Sequence, residues 1–365
     1  MTRILLFAFS LALAAQPVLF PIRVGRQSGF IDRTGRVVIP PRFDQAEEFQ
    51  EDRAVVWIGS QAGYINTAGE LVIPAIYTTA KAFTDGRALV SRDGKYSVID
   101  RTGKTVAEIP YRVLGDYSDG LAVVQRARSG SIPAAYGYID REGRVAIPPR
   151  FMPAGKFPGD GQGVAVGGLD RNWCYFDKRG QIVLRLPMDG HDRAPGFHDG
   201  LVVWKEGFFW GYRNAKGEWA IRPEFDDAHD FSNGVAQVEK DGKWMEIDTR
   251  GKPMPARTGP QPIRPPSEGL TLAVDGDRYG YLLPDGRPAF PFRKMDAAFD
   301  FTCGLARIQL DGKFGYLDKE GRLAISNEFF AATDFRGCLA MVQSREGWQY
   351  VNPKGQVVWK PEARF

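Results

Sequence analysis

The stretch Gly304 to Ile325 reads GLARIQLDGKFGYLDKEGRLAI, and its reading decides the fold. Leu305, Arg307 and Gln309 alternate with Ala306, Ile308 and Leu310; after Asp311-Gly312, Phe314, Tyr316 and Asp318 alternate with Gly315 and Leu317. Alternation of period two is the signature of a strand with one buried face. Asp-Gly favours a two-residue type I′ hairpin, because both central residues need positive φ. The second turn, Asp318-Lys319-Glu320-Gly321, has another chemistry. Asp opens a type I turn, where its carboxylate accepts a backbone N–H, and Gly takes the left-handed position that follows. The stretch thus predicts a three-stranded antiparallel meander over about 304–310, 313–318 and 322–325, its second hairpin closed by a G1-type bulge.

With drift, this unit occurs ten times. The positions equivalent to Tyr316 are Phe30, Tyr64, Val98, Tyr138, Tyr175, Tyr212, Glu246, Tyr281, Tyr316 and Tyr350, at intervals of 34 to 40 residues. Five residues after each of them stands Gly, from Gly35 to Gly355, although Gly is only 42 of 365 residues. Two residues after the marker is Asp or Asn in nine units, Leu283 being the exception, and two before it is an aromatic in eight. A lone meander has too little core to stand in water, so each copy must cover the next.

Lys243-Trp244, Phe209-Trp210-Gly211-Tyr212 and Lys313-Phe314-Gly315-Tyr316-Leu317-Asp318, each followed by the spaced Gly, resemble the WG (KWG) repeats, tandem repeats of this length common in bacterial proteins. The resemblance spans the chain beyond its first residues and implies an all-β repeat array; no catalytic or binding residues transfer with the motif. Ser97-Val98, Met245-Glu246 and Cys174 depart from the Gly-aromatic pattern, which predicts looser packing in those units.

The connecting segments repeat as well: Ile39-Pro40, Phe43, Ala46 and Phe49; Ile73-Pro74, Tyr77, Ala80 and Phe83; Pro223, Phe225, Ala228 and Phe231. Pro lacks the N–H that a ladder needs, which predicts that it ends the third strand, and the rest reads as a compact return loop whose aromatics plug the gap between meanders. Propeller blades commonly have four strands and about 40–45 residues, with four to eight in a ring. Ten shorter units favour an open, twisted β-array in which each repeat touches its neighbours, with one or two propeller-like lobes as the alternative. Six prolines within Pro253 to Pro266 mark a hinge between two lobes, and Arg126 to Ala135 reads as an exposed loop.

At the N-terminus, Arg3 precedes an apolar run and the small-residue pattern Ala12-Leu13-Ala14. This reads as a signal peptide at residues 1–14, with the array filling 15–365. The run is short of the roughly 20 residues of a membrane span, no later stretch is apolar enough to cross, and no Cys follows as a lipid anchor. The expected location is periplasmic or extracellular.

A net charge of +4, with acids and bases interspersed, argues against a nucleic-acid partner. Lys243-Trp244 reads as a turn cation beside a packed ring. Cys303 and Cys338 fall one unit apart before the first strand. An oxidising compartment permits a disulfide between them, whereas their one-position offset in the motif favours two buried thiols. Cys174 reads as a small buried hydrophobe.

Enzyme signatures are weak. His191, His198 and His229 lie in connecting segments, and HExxH, paired Cys-x-x-Cys and Gly-x-Ser-x-Gly motifs are absent. The tempting carboxylates are mostly turn Asp residues, which Asx-type stabilisation explains. Asp275-Gly276-Asp277 lacks the spacing of a calcium loop and reads as a hairpin. No catalytic, cofactor-binding or metal-binding residue is assigned, and no cofactor.

The expectation is an exported, non-catalytic protein that binds or scaffolds a protein or envelope glycan. The alternatives are a structural envelope protein without a discrete ligand and, third, a polysaccharide hydrolase. Marker aromatics packed between units would favour the scaffold; aromatics lining a groove would favour a carbohydrate or peptide reader. The irregular segments Arg126–Ala135 and Met188–Asp199 are the first places to look for binding.

Overall fold

The computed structural model describes residues 18–155, 157, 164–188, 196–232, 234–255 and 259–361, and the expected signal peptide lies outside them. Among these residues every regular element is a strand. The strands form ten small antiparallel sheets, six of four strands and four of three. In the ninth, Leu305–Leu310, Lys313–Leu317 and Leu323–Phe329 make the expected meander. Asp311 and Gly312 have φ of 48° and 73°, and Gly321 has 78°, as the two turns require. The register slips beside Tyr316, where the bulge was expected.

Two local expectations are corrected. The third strand does not stop at proline: Val37–Phe43 and Trp219–Phe225 run through it. The proline sits in an edge-strand bulge, where no ladder N–H is required. In the sixth sheet Tyr212 faces Ile221 while Trp210 faces Phe225, so extra residues loop over Gly211. A Cβ at Gly211 would lie 2.7 Å from the Ile221 oxygen and from the Pro223 nitrogen, which explains Gly after Trp. Ser97 and Cys174 stand where the third strand pairs residue by residue, with Glu108 and Arg185. In those two units the register slips only after the marker and not before it, so no residues loop over the position and a Cβ is accommodated there.

The second correction concerns the return segment, which contains a short leading strand. Gln45–Ala46, Thr79–Ala80, Asp227–Ala228 and Ala331–Ala332 each pair with the first strand of their own sheet. The residues after them do plug the gaps, as expected. Phe83 packs on Tyr64, Phe231 on Tyr212 and Phe335 on Tyr316, at ring separations of 4.9, 4.6 and 4.9 Å.

The core therefore lies between sheets. One cluster joins Tyr64, Ile73 and Tyr77 of the second sheet to Ala80, Phe83 and Val90 of the third; another joins Tyr316 and Ile325 to Phe335 and Val342. The same kind of cluster links the ends of the chain: Phe20, Ile22 and Ile31 meet Leu339, Tyr350, Val358 and Trp359. The array is closed, as a β-propeller-like ring of ten blades, and the preference for an open array gives way to the propeller-like alternative. A heterologous interface repeated around the chain closes when its rotations sum to a full turn; blades whose leading strand is commonly two residues long are narrow enough for ten. Within Pro253 to Pro266, Pro253 bridges Ile247 and Gln261–Pro262 leads the eighth blade.

Candidate functional site at the ring seam

The markers are consumed by packing. Phe30, Tyr64, Tyr138, Tyr212, Tyr281 and Tyr316 are fully buried. The hydroxyls of Tyr64, Tyr212 and Tyr316 donate to the carbonyls of Lys81, His229 and Thr333 in the next blade, at 2.8, 2.7 and 2.8 Å. Burial raises all these phenols, that of Tyr350 to about 12 with a smaller push from Glu48. Such groups are neutral hydrogen-bond donors.

The turn acids are equally occupied. Asp100 Oδ1 accepts from the amides of Thr102 and Lys104 and from the Thr102 hydroxyl, and this last bond is the main reason its carboxyl lies below the ordinary range. Leu283 breaks the sequence rule without breaking the turn: Gly286 N–H still donates to its carbonyl, and Asp285 accepts from Arg287 instead. Asp275 and Arg278 close a hairpin, as expected for the Asp-Gly-Asp segment.

His191 and most of Met188–Asp199 lie outside the described residues. His198 is 3.6 Å from Asp230, and His229 rests against Trp244 with rings 4.9 Å apart. Trp244 is 49% exposed, so it is not the packed ring expected beside Lys243. Among the described residues no three His, Cys, Asp or Glu come together to hold a metal. Arg126 and Ala135 are the paired ends of two strands, and the expected exposed loop is the stretch 127–134 between them, with a tight Ser129–Ile132 bridge and an exposed Ile132. Cys303 and Cys338 are bonded, with Cα atoms 5.4 Å apart, which corrects the preference for free thiols. Both have positive φ, 52° and 64°, so the offset is absorbed by two turns that place their cysteines on facing sides. Cys174 is buried, and burial raises its thiol.

A concavity lies where the first and last blades meet, which repeat-by-repeat reading does not reveal. A cleft of about 590 Å³ is bounded on one side by Pro21, Ile22 and Arg23 and on the other by Met341, Trp348, Tyr350 and Trp359. Trp348 is 42% exposed, and two buried polar residues, Ser28 and Gln349, lie in the wall. On the other side of Pro21 a second cleft of about 420 Å³ carries Glu48, Glu51, Asp52 and Arg336, with Arg336 and Glu48 paired across the seam. An apolar cleft with a few polar groups is suited to an amphipathic ligand held by shape and main-chain hydrogen bonds.

The family described as WG containing repeat matches residues 29–59, 63–96, 96–126, 136–156, 210–244 and 279–314, just over half of the chain. The chain belongs to that family. Among solved structures, the WG-repeat ring is similar to a eukaryotic initiation factor, with 10% identity and a TM-score of 0.50 over 94% of this chain and 95% of that one. Fainter likenesses are to Kluyvelomyces marxianus Hsv2, with 11% identity and a TM-score of 0.34 over 79% and 100% of the two chains, and to apo AztD from Citrobacter koseri, with 10% and 0.32 over 84% and 93%. At such identities the first likeness concerns the fold alone. No curated protein matches the WG-repeat chain in sequence.

Proposed function

We propose that this chain is an exported, non-catalytic WG-repeat protein that binds or scaffolds a protein or envelope glycan. The observation carrying the reading is the burial of the marker aromatics between blades. The repeat supplies a rigid ring, and recognition falls to what the ring leaves open, above all the seam cleft. Export is supported by the signal-like residues 1–14 and by the Cys303–Cys338 bond, which belongs to an oxidising compartment. The cross-blade pairs Lys178–Asp119 and Lys319–Glu268 tie up cations at the turns, which supports a partner other than nucleic acid.

The test is capture from envelope extract by the chain beginning at Gln16, beside a glycan array and a panel of polysaccharide substrates. A saturable partner lost on Trp348→Ala supports the reading. Turnover of a polysaccharide would replace it with the hydrolase, and the absence of any saturable partner would leave the purely structural envelope role.

A further inference from the structure

In seven blades an amide of the leading segment donates to the first-strand carbonyl opposite the marker, as from Lys81 to Leu89, His229 to Gln237 and Thr333 to Met341, at 2.9 to 3.1 Å. The same residue's carbonyl takes the marker tyrosine of the preceding blade, and a phenylalanine two residues later covers that ring. The segment reads Ala-x-x-Phe, as in Ala80 to Phe83, Ala228 to Phe231 and Ala332 to Phe335, and its alanines are buried.

The first blade differs. Pro21 is the residue opposite the marker Phe30. Among the described residues no strand pairs with the free edge of Phe20–Val24, and no amide reaches the Pro21 carbonyl. That carbonyl instead accepts the hydroxyl of Tyr350 at 2.9 Å. Tyr350 thus fills the place of a donor that seven other blades draw from their leading segment. Its ring meets Phe20, edge-on at 5.8 Å, and Trp359, tilted at 6.2 Å, rather than a phenylalanine of a leading segment, and the 590 Å³ cleft opens beside it.

We propose that this edge binds an extended Ala-x-x-Phe segment of a partner protein, which adds as the antiparallel fourth strand of the first blade. The residue after its alanine donates to Pro21 and accepts from Tyr350, and its phenylalanine covers the Tyr350 ring. Main-chain bonds supply affinity and the small-residue and aromatic positions supply specificity, as in other strand additions. The inference rests on the binding reading above and names the partner's chemistry.

The probe is a labelled peptide reproducing residues 77–87 of this chain, YTTAKAFTDGR, titrated by anisotropy into the chain beginning at Gln16, which contains every described residue of the ring. One-to-one saturable binding is expected, weakened about tenfold or more by Lys81→Pro in the peptide, which removes the N–H, and similarly by Phe83→Ala. No saturation, or equal binding of the proline peptide, overturns the proposal. Binding to the shortened chain but not to the full chain assigns the edge to the chain's own first residues and also overturns it. A partner captured from extract that the peptide does not displace leaves the binding reading standing and sinks this one.

Discussion

Tyr350 and Pro21, 329 residues apart, are joined by a 2.9 Å hydrogen bond from phenol to carbonyl, and that bond closes the ring. It uses the marker tyrosine that in five earlier blades, those of Tyr64, Tyr138, Tyr212, Tyr281 and Tyr316, reaches a carbonyl of the next blade, but with a different acceptor. Closure thus reuses an interface that the repeat already contains.

Removing the hydroxyl alone separates the two kinds of interface. In Tyr316→Phe the buried Thr333 carbonyl loses its donor, at a cost of about 1–2 kcal/mol. Tyr350→Phe should cost less, about 1 kcal/mol, because Pro21 borders the clefts and water can replace the phenol. Urea midpoints at unchanged slope give the comparison, and a larger loss for Tyr350→Phe would place the Pro21 carbonyl in a dry interface. Tyr316→Ala, which empties the ring site, should cost roughly 3 kcal/mol or more.

Gly35 and Gly286 test closure from another side. Their φ values are 85° and 83°, so alanine meets the same backbone penalty at both, about 1 kcal/mol. A Cβ at Gly286 meets nothing within 4 Å, whereas one at Gly35 runs into the Val358 carbonyl of the last blade. Gly35→Ala should therefore be the more destabilising by about 1–3 kcal/mol in thermal melts. Equal melting temperatures would mean that the last blade does not press on the first.

Much of this was legible because the repeat writes each turn into the same residues. Asp318 and Gly321 announced their bulge, and the period announced ten units. The leading strands were missed because two residues carry no alternation, so Thr79-Ala80 looks like any loop. Pro40 was misread because the one-dimensional rule against proline applies to ladders, not to an edge bulge over a glycine. The seam was illegible for a deeper reason: Val358 and Trp359 stand at repeated positions, but no periodicity shows that they meet Phe20 from the other end of the chain. The disulfide sat between these cases, its spacing visible and its turn geometry not.

The Cys303–Cys338 bond staples the ninth blade to the tenth, across a sequence separation of 35 residues. A closed loop of that size removes enough unfolded-chain entropy to contribute about 3–4 kcal/mol. Paired Cys303→Ser and Cys338→Ser substitutions should lower the urea midpoint accordingly and abolish any further effect of reductant. Glu268 makes the corresponding link one blade earlier, accepting from the Gly304 amide at 2.9 Å, and Glu268→Gln should cost far less. If reduction leaves the wild-type midpoint unmoved, the tenth blade is held by its packing alone.

Acid sensitivity should be traceable to single turns. The Asp100 carboxyl is held low chiefly by the Thr102 hydroxyl, with the amides of Thr102 and Lys104 adding to it and burial opposing. A carboxylate whose folded pKa is depressed contributes stability that is present above its unfolded value, near 3.9, and is lost as pH falls through the folded one. Asn66, Asn214 and Asn352 occupy the same place, and each accepts two turn amides through its side-chain oxygen. Asp100→Asn should therefore melt close to wild type at pH 7, while Asp100→Ala melts lower because both turn amides lose their acceptor. Below about pH 4 the wild type should decline toward the asparagine variant or past it, since an amide has no proton to gain. Parallel melting curves for wild type and Asp100→Asn from pH 7 to pH 2 would show that the turn holds its shape without the charge.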